Sequence, residues 1–225
     1  WHYYANPSPC REVNNDFLND WNKLTPPLGD WGERSMVYTF SQFNSWGKVQ
    51  PVSPEAAGWP LNIYYPGAGV AVIRKSWDKH EGLLWLHAGY GGSHTQPHQG
   101  TVIYHADDAV ILGNGGSQEF WPDSRMNNVL LIDGTGQISP FHINLTAERQ
   151  EWGIMTQIDD ETYQMDASRA YEHLSYRVSW QRTVKYVRQL DIVEIHDEVS
   201  TADGNTHELS FNWVTEANIR QEDNH

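Results

Sequence analysis

The feature that most constrains the fold is a strict alternation of apolar and polar residues over residues 176–186. One parity carries Tyr176, Val178, Trp180, Val184 and Tyr186, and the other carries Arg177, Ser179, Gln181, Thr183 and Lys185. Successive side chains of a β-strand point to opposite faces, whereas a helix would spread these apolar residues around its axis. The pattern therefore predicts a strand with one buried and one solvated face.

Further short strand signals, bounded by Gly, Asp and Asn, follow one another from about Leu61 onward. They cover residues 70–74, 83–87, 101–105, 109–112 and 129–132, and the alternating Leu209, Phe211 and Trp213. Many short strands at this spacing are typical of antiparallel sandwiches and barrels. We predict an all-β antiparallel sandwich domain over residues 61–225. Its common core is predicted to contain Val178, Trp180, Val184, Leu209, Phe211 and Trp213.

The first sixty residues have a different character, because proline is frequent there and few stretches are periodic. The prolines between residues 6 and 60 are Pro7, Pro9, Pro26, Pro27, Pro51, Pro54 and Pro60. Proline at this density interrupts helices and central strands. We interpret residues 1–60 as a connector that wraps over a neighbouring domain, or else as an extended arm packed on its own sandwich. The chain opens on Trp1 without a leader-like segment, which suggests that it begins inside a longer gene product.

The charge, the cysteine content and the hydropathy of the chain exclude several classes of partner and of covalent or membrane structure. The net charge of −14 argues against nucleic acid and anionic membrane surfaces, although a local basic cleft can coexist with an acidic exterior. Cys10 is the only cysteine, so no internal disulfide forms. No stretch is apolar enough to span a bilayer.

Four of the eleven histidines lie close together in the sequence, namely His87, His94, His98 and His105. They could hold a metal ion, act as a general acid or base, or be ordinary hydrogen-bonded residues. Imidazole titrates near neutrality, which suits His94, after the glycine-rich loop, to proton transfer. A serine nucleophile is disfavoured, because Gly91-Gly92-Ser93-His94 does not match the nucleophile elbow.

An ordered series of motifs across residues 61–215 resembles the C-terminal region of heparinase II/III-like polysaccharide lyases. The series comprises the strand at residues 65–74, Leu84-Trp85-Leu86-His87-Ala88-Gly89, the segment 93–100 in place of H-x-H-x-D, Ile111-Leu112-Gly113-Asn114, residues 127–134, Ala170-Tyr171, and Trp180-Gln181-Arg182-Thr183-Val184. The resemblance implies a heparinase II/III-like β-sandwich that packs on an N-terminal helical toroid of the same gene product. The resemblance leads us to expect that this toroid is missing from this chain.

The resemblance also implies an activity and a set of site residues. The family cleaves uronic-acid polysaccharides by β-elimination, so the joined protein is expected to be a carbon–oxygen lyase, secreted or periplasmic. His94 occupies the position of the catalytic first His of H-x-H-x-D. The toroid is expected to supply the Tyr and the His or Asn that complete the site. We expect the acidic glycan to be bound by Gln96, His98, Arg74 and Trp121.

The family's structural metal positions read Gln96, Asn114 and Asn127 here. Neutral amides are poor zinc ligands, so we expect no zinc and no other cofactor at these positions. A shifted metal site built from His94, His98 and either His87 or His105 is the competing hypothesis.

Three other interpretations of the whole chain remain open. The domain could be a non-catalytic carbohydrate-binding module whose exposed Trp and Tyr side chains stack on sugars. It could be a uronyl epimerase on the same scaffold, or a structural domain whose sites have decayed.

Overall fold

The computed structural model describes residues 52–78, 80–91, 96–114, 123–138 and 150–216. Residues Pro60–His225 form one compact unit and Trp1–Trp59 form another. In the described part of the latter, the Trp59 amide donates to the Pro54 carbonyl at 2.9 Å and closes a turn. The connector role of residues 1–60 stays a prediction, because residues 1–51 lie outside the described ranges.

Thirteen β-strands make up the regular structure of the described residues. In chain order they are β1 Ile63–Tyr65, β2 Val70–Arg74, β3 Leu83–His87, β4 Tyr90–Gly91, β5 Thr101–Ala106, β6 Ala109–Leu112, β7 Leu130–Ile132, β8 Gln150–Glu151, β9 Ile154–Gln157, β10 Thr162–Asp166, β11 Val178–Val187, β12 Ile192–Thr201 and β13 Leu209–Phe211. Two short 3₁₀ turns, Ser124–Met126 and Ser168–Tyr171, are the other elements. No helix within the described ranges is long and apolar enough to cross a membrane.

Two larger sheets contain nine of these strands, and every pairing is antiparallel. One has the order β1-β2-β3-β5-β6 and the other has the order β12-β11-β10-β9. The pairs β13-β7 and β4-β8 form two small sheets. The predicted all-β antiparallel architecture is therefore confirmed.

Aspartates close two of the hairpins. Asp107 and Asp108, between β5 and β6, have φ angles of 51° and 59°. Asp191, in the turn between β11 and β12, has a φ of 56°. Two successive residues with positive φ match a type I′ turn, whose twist suits adjacent antiparallel strands. Aspartate tolerates this left-handed conformation better than bulky or β-branched residues.

The main core lies between the two larger sheets. The five-stranded sheet contributes Leu84 and Leu86 of β3 to this core. The four-stranded sheet contributes Tyr163 of β10 and Val184 and Tyr186 of β11, and all five side chains are fully buried. Alternation on each strand produces this arrangement, because every second side chain enters the space between the layers. The predicted sandwich is confirmed, and the apolar face of β11 lies inside as expected.

Arg182 is a charged exception on that inner face. It has the same parity as Trp180 and Val184 and is 1% exposed. Its guanidinium donates from Nε and Nη2 to Asp197 at 2.8 and 2.9 Å, and from Nη1 to the Gly100 and Asn128 carbonyls at 3.0 and 2.7 Å. Asp197 lies directly opposite on β12. These bonds tie β12, the start of β5 and the approach to β7 to the middle of β11.

The predicted core set is wrong at two positions. Val178 and Trp180 join a second buried cluster, with Phe211 packed partly against it. Leu209 and Trp213, however, are 44% and 42% exposed. The reason is that β13 pairs only with β7, so just one side chain of its alternating set reaches the cluster. Trp213 follows the strand, and its ring lies 5.1 Å from the Arg182 guanidinium.

Candidate functional site

The outer face of the five-stranded sheet is mainly apolar, whereas that of the four-stranded sheet is polar. Its described side chains include Ile63, Val70, Val72, Arg74, Leu83, Trp85, His87, Thr101, Ile103 and His105. All but His105 are half-buried or buried. The outer face of the other sheet carries Ser179, Gln181, Thr183, Lys185, Glu194 and His196, which suit water. An apolar face with a few polar groups is the composition of a ligand-binding or docking surface.

Arg74 is a cation on this face that has no counter-ion among the described residues. Its guanidinium carbon lies 4.6 Å from the ring centroid of Trp77, a cation–π contact. Burial lowers the pKa of Arg74. Its Nε and Nη1 are buried and have no hydrogen-bond partner among the described residues. A half-buried guanidinium in this state attracts an anion, because a carboxylate or sulfate would supply both the charge and the missing acceptors.

Two imidazoles meet at the opposite end of β3. The ring centroids of His87 and His98 lie 4.5 Å apart at an interplanar angle of 51°. The Trp85 ring is stacked on His87 at 5.6 Å. Burial lowers the pKa of His87 to about 4, opposed by a hydrogen bond with the backbone of His98. Burial, with a smaller contribution from His87, lowers the pKa of His98 to about 3. Both rings are therefore neutral at physiological pH.

The turn that carries His98 is held in place by hydrogen bonds of the Gln99 and Gln137 side chains. The His98 N–H donates to the Gln96 carbonyl at 2.9 Å. Gln99 is fully buried, and its Oε1 accepts from the Gly89 N–H at 2.7 Å. Gln137 exchanges two hydrogen bonds with the Gln99 backbone, at 2.8 and 2.6 Å. These bonds fix residues 96–100 against the end of β3, which gives His98 its position beside His87.

The positions that the resemblance assigns to a structural metal carry side chains that suit zinc poorly. Asn127 is fully buried, but its Nδ2 donates to the Asp123 carbonyl at 3.1 Å. Its Oδ1 accepts no hydrogen bond from any described residue. Asn114 is exposed, and the third position is Gln96. Three neutral amides lack the charge and donor strength that zinc requires. Among the described residues, no group of three or more His, Cys, Asp or Glu side chains could hold a metal ion.

The structure separates the predicted site residues into two places. In register, His87 is paired with Val70 and Thr101, whereas Leu83 is paired with Arg74 and His105. Four residues along a strand span roughly 13 Å. His98 thus lies at one end of the outer face, with Gln96 in the same turn. Arg74 and His105 lie at the other end, so His105 is not beside the His87–His98 pair.

Two predicted residues, His94 and Trp121, lie outside the described ranges. Their assignments as a proton-transfer residue and as a substrate-binding residue stay predictions.

Sequence reasoning missed a second cluster, which surrounds His207. His207 Nδ1 lies 2.6 Å from Asp133 Oδ2, and its Nε2 lies 3.0 Å from Asp203 Oδ2. The Tyr176 ring stacks on it with centroids 4.4 Å apart. Hydrogen bonds first to Asp133 and then to Asp203 raise the pKa of His207. No local pattern signals this cluster, because Asp133 and His207 are 74 residues apart.

The two packed antiparallel sheets make this chain a heparinase-like β-sandwich. A heparinase III gene product with methylated lysines superposes with a TM-score of 0.53 at 18% identity, over 72% of this chain and 27% of that one. A second heparinase III structure gives 0.51 at 18% identity, over 69% of this chain and 25% of that one. This chain thus spans about a quarter of the length of those proteins. No protein-family model matches the sequence, and no curated protein matches it.

At 18% identity this likeness establishes the fold. The predicted resemblance to heparinases is therefore confirmed for the fold.

Proposed function

We propose that this chain is the β-sandwich part of a secreted or periplasmic polysaccharide lyase that cleaves a uronic-acid-containing glycan by β-elimination. The heparinase-like fold supports the reaction class. The observation that carries the choice of an acidic substrate is Arg74, whose half-buried guanidinium has no carboxylate partner in the described residues of a chain with a net charge of −14.

The outer face offers the contacts that such a glycan requires. Trp77 and Trp85 can present aromatic surface to sugar rings, and Arg74 can pair with a uronate carboxylate. His98 and Gln96 lie roughly 13 Å away along the strands, a distance that an oligosaccharide can bridge. In the proposal, Arg74 and the His98 turn therefore bind different sugar units of one chain.

β-Elimination requires the protein to neutralise a charge, to supply a base and to supply an acid. The C5 proton lies next to a carboxylate, whose charge must be neutralised before the proton becomes acidic. A base removes that proton, the electrons form a C4–C5 double bond, and the C4–O4 bond breaks. An acid then protonates the departing O4. We propose that His94 takes part in these proton transfers and that a helical domain of the same gene product supplies the remaining groups.

Replacement of His94 in the longer protein tests the catalytic assignment. His94→Ala should lower the rate of unsaturated-uronate formation by about two to four orders of magnitude, because a positioned acid or base contributes that much. His196→Ala is the matched control, since it removes an exposed imidazole from β12, on the outer face of the other sheet. Near-normal turnover of His94→Ala would refute the role.

The proposed need for a helical domain has its own test. The 225-residue chain should release no unsaturated product from alginate, heparan sulfate or hyaluronan, because in this proposal the remaining catalytic groups come from that domain. Robust turnover by this chain alone would place the active site elsewhere. If the longer protein exchanges the C5 proton with solvent deuterium and releases no unsaturated product, the activity is epimerisation.

Arg74 can be tested on the chain by itself. Arg74→Gln should weaken binding of uronate oligosaccharides about tenfold to a hundredfold, because hydrogen bonds to charged groups contribute about 1.5 to 3 kcal/mol. Binding of oligosaccharides whose carboxylates have been reduced to alcohols should not change. Equal losses for both ligands would remove Arg74 from carboxylate recognition. Strong binding together with an inactive longer protein would favour a carbohydrate-binding module.

A further inference from the structure

The His87–His98 pair contains buried polar atoms that nothing in the described structure satisfies. His87 is 7% exposed and Thr101, its cross-strand neighbour, is fully buried. The Nδ1 atoms of His87 and His98 and the Oγ1 of Thr101 are all buried without a described hydrogen-bond partner. A buried polar atom left in this way costs roughly 1 to 3 kcal/mol. Three such atoms near one end of the sheet are typical of a position that can bind a ligand.

We propose that His87 and His98 form a two-imidazole site for a late first-row transition-metal ion, with copper(II) as the strongest binder. The site does not use the amide positions Gln96, Asn114 and Asn127. It also excludes His105, which the strand register places at the far end of the face.

The separation of the rings fits one shared ion. An ion about 2.1 Å from each of two imidazole nitrogens, with an angle of roughly 90° to 110° at the metal, holds the ring centroids roughly 4.5 to 5.5 Å apart. The observed separation is 4.5 Å, and the rings are tilted by 51°. Stacking on Trp85 fixes the His87 ring, so little side-chain entropy is lost on binding.

The chemistry of the pair selects the class of ion. Both donors are neutral ring nitrogens, and no carboxylate is paired with either ring among the described residues. Imidazole suits copper, nickel and zinc, whereas calcium and magnesium require oxygen ligands. Copper(II) stands highest in the affinity order for nitrogen sites. Solvent would complete the coordination shell, and the ion would fasten the turn of residues 96–100 to the end of β3.

Copper titration of the untagged 225-residue chain tests the site, with glycine as a competitor to suppress weak surface binding. We expect one equivalent of Cu²⁺ bound with the electron paramagnetic resonance pattern of two nitrogen ligands. His87→Asn and His98→Asn should each weaken binding at least about tenfold and remove one nitrogen from the pattern. His105→Asn and His196→Asn, both exposed, should bind as the wild type does.

A thermal measurement guards against misfolded variants. Cu²⁺ at about one hundred times its dissociation constant should raise the wild-type Tm by roughly 5 to 10 °C. The two ligand variants should keep their metal-free unfolding transitions but lose this increase. The absence of a stoichiometric two-nitrogen site in the wild type overturns the proposal and leaves a buried water as the occupant. Unchanged affinity in either ligand variant overturns it as well.

Discussion

Replacement of Arg182 should measure how much the buried ion pair with Asp197 contributes to the free energy of unfolding. Arg182→Met removes four hydrogen bonds, two to the Asp197 carboxylate and two to the Gly100 and Asn128 carbonyls. The Asp197 side chain, only 13% exposed, would keep the Trp180 Nε1 donor at 2.8 Å but lose its counter-ion. Loss of one partner of a buried pair costs about 3 to 5 kcal/mol, because the remaining charge stays buried.

Urea unfolding of the 225-residue chain should show this as a lower midpoint with an unchanged slope. For a domain of this size, about 3 to 5 kcal/mol corresponds to a decrease in Tm of roughly 6 to 20 °C. Lys185→Met is the matched control, because Lys185 lies on the same strand with its side chain exposed. Its effect should stay within about 0.5 kcal/mol. A loss below about 1 kcal/mol in Arg182→Met, or one equal to that of Lys185→Met, would refute the argument.

Two further predictions concern pH and backbone geometry. The His207 cluster, made with Asp133, Asp203 and Tyr176, should stabilise the fold only while the imidazole is charged and the carboxylates are ionised. The folded pKa of His207 is raised above its ordinary 6.5, so its contribution is complete below 6.5 and is lost as the pH rises through the folded value. The pKa of Asp203 is lowered to about 2 and that of Asp133 is also lowered, so their contribution is present above the ordinary 3.8 and fades in stronger acid. The difference in unfolding free energy between wild type and His207→Gln should therefore be largest between pH 3.8 and 6.5 and should shrink in alkali; a difference that is constant from pH 5 to 9 would contradict it. Gly69→Ala should destabilise the domain by about 2 to 4 kcal/mol, because the residue has a φ of +63° and the new Cβ would lie 1.9 Å from the Ala88 carbonyl oxygen. Gly134→Ala, with a φ of +73° and open space around the Cβ position, should cost only about 1 kcal/mol, and equal costs for the two variants in urea unfolding would disprove the clash.

The existence of the strands follows from the sequence because the alternation of side chains is a local property of extended backbone. Residues 70–74, 83–87 and 109–112 became β2, β3 and β6 with the expected bounds. The chain pattern also indicates which face of β11 lies inside. The partner of β11 was not identified, because the register of β12 depends on contacts made across the sheet.

Tertiary structure alone decided the polar features. Arg182 has the parity of a core residue, but only the pairing of β11 with β12 places Asp197 opposite it. In the same way, His98 meets His87 because Gln99 and Gln137 hold the turn against β3. His207 reaches Asp133 across 74 residues of chain. A hydrogen bond or an ion pair needs two groups within about 3 Å, and no local period in a sequence encodes such a distance between remote segments. The sequence therefore determined the strands and their buried faces, whereas the folded chain decided which polar side chains meet.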